Sequence, residues 1–201
     1  HIYPATLPRS RAMSAPPFTP LPVFNHGLGA FTEEELDKLE RYCDALPLSK
    51  AKLALLDAGD RYDHIRSTRV CAIDQMAEIA WFYERLVAIC RRLNRDYRFD
   101  LTDFSEPPQY LVYHHSENGH FDWHVDHGVQ PPRKLALTLQ LSDPSRYEGG
   151  ALEFNGGNIV CAPKNRGAAI AFPSYTVHRV TPVTAGIRKA IVAWITGPDF
   201  R

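Results

Sequence analysis

The 201-residue chain changes texture near residue 100. Before it, apolar positions recur with helical spacing. In FTEEELDKLERYCDAL, Thr32 as N-cap and Glu35 three residues on form a capping box, and Leu36, Leu39, Cys43 and Leu46 make one apolar stripe. A second helix is predicted from about Asp74 to Asn94, with Ile79, Phe82, Leu86, Ile89, Cys90 and Leu93 inside. Between them, LLDAGDRYDHIRSTRV reads as a polar, basic loop.

Beyond Asp100 the pattern becomes short apolar runs separated by Gly, Pro, Asn and Ser. In RKLALTLQLSD, Leu135, Leu137, Leu139 and Leu141 alternate with Ala136, Thr138 and Gln140, which predicts a strand with one dry face. A succession of such runs predicts a β-sandwich or jelly roll. Helices first and strands afterwards give an α+β fold in which helices at about 32–99 buttress a strand core at about 108–197. Six prolines within residues 1–22 mark a flexible tail, so a single domain is expected over 23–201.

Composition narrows the functional classes. Lys+Arg and Asp+Glu are 23 each, and no basic block appears, so a nucleic-acid partner is not expected. No apolar run is long enough for a membrane span and no signal-like layout opens the chain, which leads to the expectation of a cytoplasmic protein. Cys43, Cys71, Cys90 and Cys161 are widely spaced without C-x-x-C and are read as reduced structural thiols.

The candidate chemistry sits in GHFDWHVDHG, which holds His120, Asp122, His124, Asp126 and His127. With nine His and 23 Asp+Glu, about one His-x-acid triplet is expected by chance; this chain has the pairs His120/Asp122 and His124/Asp126 and also His115-Ser116-Glu117. In a strand His120, Asp122, His124 and Asp126 would share a face, so parity does not choose between the pairs. A third ligand must come from elsewhere. His178 is the candidate, although its apolar neighbours Phe172, Val177, Val180 and Val183 also suit an ordinary core histidine. Arg188 leads into the apolar run KAIVAWI with no acidic residue near it in sequence. A buried cation there needs an anionic partner, and a bound ligand can supply one. Two His and one carboxylate on one side of iron(II) leave adjacent positions open for substrate and oxygen.

Taken in order, FDWHVDHG, RKLALTLQLSDPSRYEGGALEF, AIAFPSYTVHRVTPVTAGIRKAIVAWITGP and the closing FR resemble the 2-oxoglutarate/iron(II)-dependent oxygenases, specifically their prolyl 4-hydroxylase-like branch. The resemblance covers about residues 62–201 and implies a double-stranded β-helix, or jelly-roll, core. It aligns Phe121 with the aromatic of aromatic-x-x-His-x-Asp, and so implies Fe(2+) on His124, Asp126 and His178. It also implies that Arg188 pairs with the distal carboxylate of 2-oxoglutarate and that Tyr113 hydrogen-bonds this co-substrate. Gln140 stands where relatives often carry Tyr, as a further co-substrate contact whose amide could donate, and Val192 where some place a hydroxyl. Trp194 is expected to pack the barrel end.

The implied reaction consumes 2-oxoglutarate and O2, releases succinate and CO2, and hydroxylates an unactivated C–H bond. The carboxylate at Asp126 argues against halogenation, which needs a small residue there. The substrate would be a prolyl residue, a free amino acid or another small molecule, and the protein a monomer or homodimer. A metal- and 2-oxoglutarate-binding module that senses rather than catalyses is the alternative. Candidate specificity residues at the mouth are Arg61, Arg66 and Arg69, the 127–133 turn, and Arg146 with Tyr147.

Overall fold

A computed structural model describes residues 20–51, 64–127 and 132–199. Most of the expected tail, Arg61, the tip of the 127–133 turn and the closing FR lie outside the described residues.

The strands, in chain order, are β1 (Asn25–Gly27), β2 (Ser49–Lys50), β3 (Arg66–Ser67), β4 (Arg69–Ala72), β5 (Gln109–His114), β6 (His120–His124) and β7 (Arg133–Gln140). They continue with β8 (Tyr147–Gly149), β9 (Leu152–Asn155), β10 (Ile159–Cys161), β11 (Ala169–Pro173), β12 (Val177–Val180) and β13 (Val183–Thr196). The larger antiparallel sheet runs β1-β11-β7-β13-β5-β4-β2, with β8 on β13; the smaller runs β10-β9-β12-β6-β3. This is the jelly roll of the α+β expectation, with helices against the larger sheet.

The larger sheet is buried on both faces, and its alternation sorts two cores. Leu135, Leu137, Leu139, Ile191, Ala193 and Ile195 pack with the helices. Ala136, Ile170, Phe172, Tyr113 and Trp194 point the other way and pack with Leu152, Phe154 and Val180 of the smaller sheet. The expectation of one dry face on β7 is therefore corrected: Thr138 and Gln140 are buried too, because their side faces the space between the sheets.

Helix α1 (Glu33–Asp44) starts at the predicted capping box, with the Thr32 hydroxyl accepting from Glu35 N–H and the Glu35 carboxylate accepting from Thr32 N–H. Its buried face carries Leu36, Leu39 and Cys43, each such leucine contributing about 2 kcal/mol. Glu35 also pairs with Arg85 of α2 (Ala80–Leu93), tying the two helices together. The second helix starts later than Asp74: Met76 N–H turns back to Asp74 O at 2.8 Å, and Ala77–Ile79 form a 3-10 turn before α2 begins. The expected apolar residues from Ile79 to Leu93 are nevertheless all buried.

The expected loop is corrected more substantially. Within LLDAGDRYDHIRSTRV the chain forms β3, which pairs with β6 in the smaller sheet, and the start of β4, which pairs with β5 in the larger. Buried Thr68 makes the crossing, its hydroxyl donating to Val112 O at 3.0 Å. Polar composition concealed these strands because both are very short and held by long-range pairing. All four cysteines are free; Cys43 and Cys90 are core residues, but Cys161 is exposed and not structural.

Candidate metal and co-substrate site

The candidate site lies between the sheets. β12 aligns His178 with His124, yet two residues later Val180 faces Phe121, so β6 carries one extra residue over this interval. This bulge breaks the alternation that left His120/Asp122 and His124/Asp126 indistinguishable. It puts Phe121 and His124 on the same side, stacked at 3.4 Å between ring centroids and 12° between planes. His120 is turned away, with Nδ1 against Asn118 O at 2.6 Å and Nε2 against His64 O at 3.0 Å. Asp122 faces out and accepts from Trp123 N–H. His127 Nδ1 lies 3.2 Å from Arg133 O.

His124, Asp126 and His178 come together, with one potential ligand atom from each within 4.8 Å of the others. Asp126 Oδ1 is 3.6 Å from His124 Nε2, and Asp126 Oδ2 is 3.5 Å from His178 Nε2. His124 Nδ1 lies 2.7 Å from Asp122 O, and His178 Nδ1 lies 2.9 Å from Thr176 O. A carbonyl only accepts, so each Nδ1 carries a proton and Nε2 is the atom each ring can offer to a metal. Burial, then the neighbouring His178, pushes the His124 pKa down to about 4, so this ring is neutral and ready to ligate at neutral pH. Asp126 lies just past the end of β6, its N–H donating to Ser174 O at 2.8 Å and its carbonyl accepting from Arg133. Three ligand atoms of these types, with their lone pairs aimed at one another, suit a divalent transition metal.

The larger sheet presents an anion-deficient wall to the interior. Arg188, on β13, is directly opposite Tyr113 on β5, its guanidinium 5.1 Å from the Tyr113 ring centroid. The residue is 1% exposed. Nη2 donates to Gln140 Oε1 at 2.9 Å, and Nε is buried with no hydrogen-bond partner. Among the described residues no carboxylate pairs with it. Its neighbour Lys189 points to the helix side and binds both Glu40 and Asp44. Strand alternation thus pairs one cation and strands the other, which calls for an anionic ligand at Arg188.

The Gln140 amide oxygen is turned to Arg188, while its NH2 donates to Pro163 O at 3.3 Å. Both ends of the amide are thus engaged within the protein, one of them on Arg188. Val192 is apolar support against the interior cluster. Trp194 packs as expected and lies under Arg133, whose guanidinium is 4.0 Å from the indole centroid.

Sequence reasoning read Tyr147 only as a candidate specificity residue at the mouth; it lies buried beside Arg188, where burial raises its hydroxyl pKa and the guanidinium pulls it down. Sequence reasoning missed the closeness of Gly150, where a Cβ would stand 2.9 Å from Arg188 Cδ. The Tyr-x-Gly-Gly run carried that signal.

Comparisons with known proteins agree with this geometry. Residues 108–196 match the family "2OG-Fe(II) oxygenase superfamily", a span containing all three clustered residues and Arg188. Over this span the chain is similar to that superfamily. A PKHD-type hydroxylase of Teredinibacter turnerae is 40% identical over 97 residues, covering 44% of this chain and 42% of that protein. One from Colwellia psychrerythraea is 48% identical over 62 residues, covering 30% of this chain and 28% of that one. The matches thus span less than half the length of these curated relatives. A Pseudomonas putida prolyl-4-hydroxylase shares the fold, with TM-score 0.70 at 18% identity over 88% of this chain and 94% of that one. A Trichoplax adhaerens prolyl hydroxylase, solved with a hypoxia-inducible-factor peptide, also gives TM-score 0.70 at 18% identity, over 87% and 83%. Among the described residues no helix is long and apolar enough to cross a membrane.

Proposed function

We propose that the protein is an iron(II)- and 2-oxoglutarate-dependent dioxygenase that hydroxylates an unactivated C–H bond of a peptide or small-molecule substrate. The observation that carries this reading is the clustering of two imidazole nitrogens and a carboxylate between the sheets of a fold that also buries a guanidinium with no carboxylate partner among the described residues. His124, Asp126 and His178 hold the metal, and Arg188 takes the distal carboxylate of 2-oxoglutarate in a bidentate contact that suits its planar fork. The iron, with 2-oxoglutarate and O2, supplies the oxidising power of the reaction.

The chain's own residues orient and exclude. Asp122 and Thr176 carbonyls fix the two imidazoles through Nδ1, and Phe121, Phe154 and Phe172 wall the histidines from water. Gln140 holds the guanidinium toward the cavity, and Tyr113 packs across it.

The test is anaerobic addition of iron(II) and 2-oxoglutarate, followed by oxygen. A visible chelate absorbance, then succinate formation, is expected, both lost in His178→Ala. Chelation without turnover across a broad substrate panel would mark a binding module instead. Failure of metal-loaded protein to bind or consume 2-oxoglutarate would sink the reading.

A further inference from the structure

A second arginine has no acidic partner among the described residues. Arg66 lies on β3 and pairs with Phe121 of β6, and its guanidinium sits over the Phe121 ring at 4.6 Å from the centroid. The other face relationship of that ring is its stack on His124. The Arg66 charge reaches Asp126, His124 and Tyr113. Its Nε is buried and makes no hydrogen bond, and among the described residues no carboxylate pairs with its guanidinium.

Neighbouring arginines show how unusual this is. Arg69 pairs with Glu117, Arg133 with Glu106, and Arg179 with Glu153 at 2.8 Å. Asp126 is the acidic group that Arg66 feels, but both its oxygens face the histidines. A divalent cation held there would consume that negative charge and leave Arg66 in a more positive field than before. Desolvating a guanidinium without an anion is costly, so this one is poised for a ligand.

That ligand differs from the anion at Arg188. Arg188 belongs to the larger sheet and Arg66 to the smaller, with Tyr113 a neighbour of both. In the proposed reaction 2-oxoglutarate has one carboxylate for the metal and one for Arg188, leaving none for Arg66.

We propose that Arg66 is a substrate-recognition residue and that the hydroxylated substrate carries a carboxylate, which docks on its guanidinium beside Phe121. This rests on the oxygenase reading above. The carboxylate is that of a free amino acid or of a peptide, and the two sources separate in the test.

The experiment uses the full chain, anaerobic, with iron(II) and saturating 2-oxoglutarate. The probes are L-proline against L-prolinamide, and the tripeptide Ac-Ala-Pro-Ala with a free against an amidated C-terminus; binding is read as the rise in Tm. At least one acid is expected to bind at least about tenfold tighter than its amide, the size of a lost charge-assisted hydrogen bond. Arg66→Gln should remove that preference, Arg66→Lys should keep part of it, and the chelate absorbance should form in both. The arm that responds names the source.

Equal binding of acid and amide, no response to either acid, or a preference that survives Arg66→Gln each overturns the proposal. So does loss of the chelate in a folded Arg66→Gln protein, which would assign Arg66 to 2-oxoglutarate. Should wild-type protein form no chelate, the oxygenase reading fails. The acid/amide comparison on metal-free protein then still decides whether Arg66 is an anion site.

Discussion

Arg188 and Gln140 meet in the space between the sheets, Nη2 donating to Oε1 at 2.9 Å, so a buried cation is held by a neutral partner. Neutrality matters here, because it holds the guanidinium without satisfying its charge. Gln140→Glu would supply the missing anion within the fold. The metal-free variant is expected to be more thermostable than wild type and to bind 2-oxoglutarate at least about 100-fold more weakly, since a ligand carboxylate would displace an internal one. Tm and isothermal titration measure both, and unchanged affinity would show that Arg188 is not the co-substrate anchor.

Gly150 keeps the other side of Arg188 clear. Its φ is +56°, and an added Cβ would stand 2.9 Å from Arg188 Cδ and 3.0 Å from Val183 Cγ2. Gly150→Ala is expected to cost about 1–2 kcal/mol for the left-handed backbone alone. It should also push Arg188 and raise the 2-oxoglutarate Kd. Urea unfolding with titration of the co-substrate checks this; a loss of stability without a change in Kd would free Gly150 of any role at the site.

Glu35 links the α1 cap to α2 and predicts a pH dependence. The Thr32 N–H, then Arg85, hold its carboxyl below the usual value. A lowered folded pKa means that the unfolded chain binds more protons, so this stabilisation is present at neutral pH and fades as pH falls through the lowered value. Glu35→Gln should reduce the urea midpoint at pH near neutral, and the two proteins should converge at strongly acidic pH. A constant difference across the range would point to packing rather than charge.

The cysteines should separate by burial. Desolvation pushes both the Cys43 and Cys90 thiols up to about 12, whereas Cys161 is exposed. With a thiol-reactive chromophore in mildly alkaline buffer, Cys161 is expected to react quickly, and Cys43 and Cys90 only after denaturation. Rapid modification of Cys90 in folded protein would contradict the packing of α2.

Much of this molecule was legible in its sequence, because the relevant physics is local. The Thr32/Glu35 capping box, the stripe of α1 and the apolar face of α2 follow from helical periodicity. Leu135 to Leu141 announced a strand through alternation. The three clustered residues and Arg188 were reached through a motif pattern, and the structure brings His124, Asp126 and His178 together. What tertiary structure alone decided depends on partners distant in the chain. The extra residue of β6 opposite β12 turns His120 away and stacks Phe121 on His124, a shift of register that alternation by itself cannot express. Strands β3 and β4 exist because β6 and β5 pair with them. Sequence could not separate Lys189, neutralised by α1, from Arg188, or Arg69, neutralised by Glu117, from Arg66. A charge is only as costly as its surroundings are dry and unpaired, and those surroundings are assembled from across the chain.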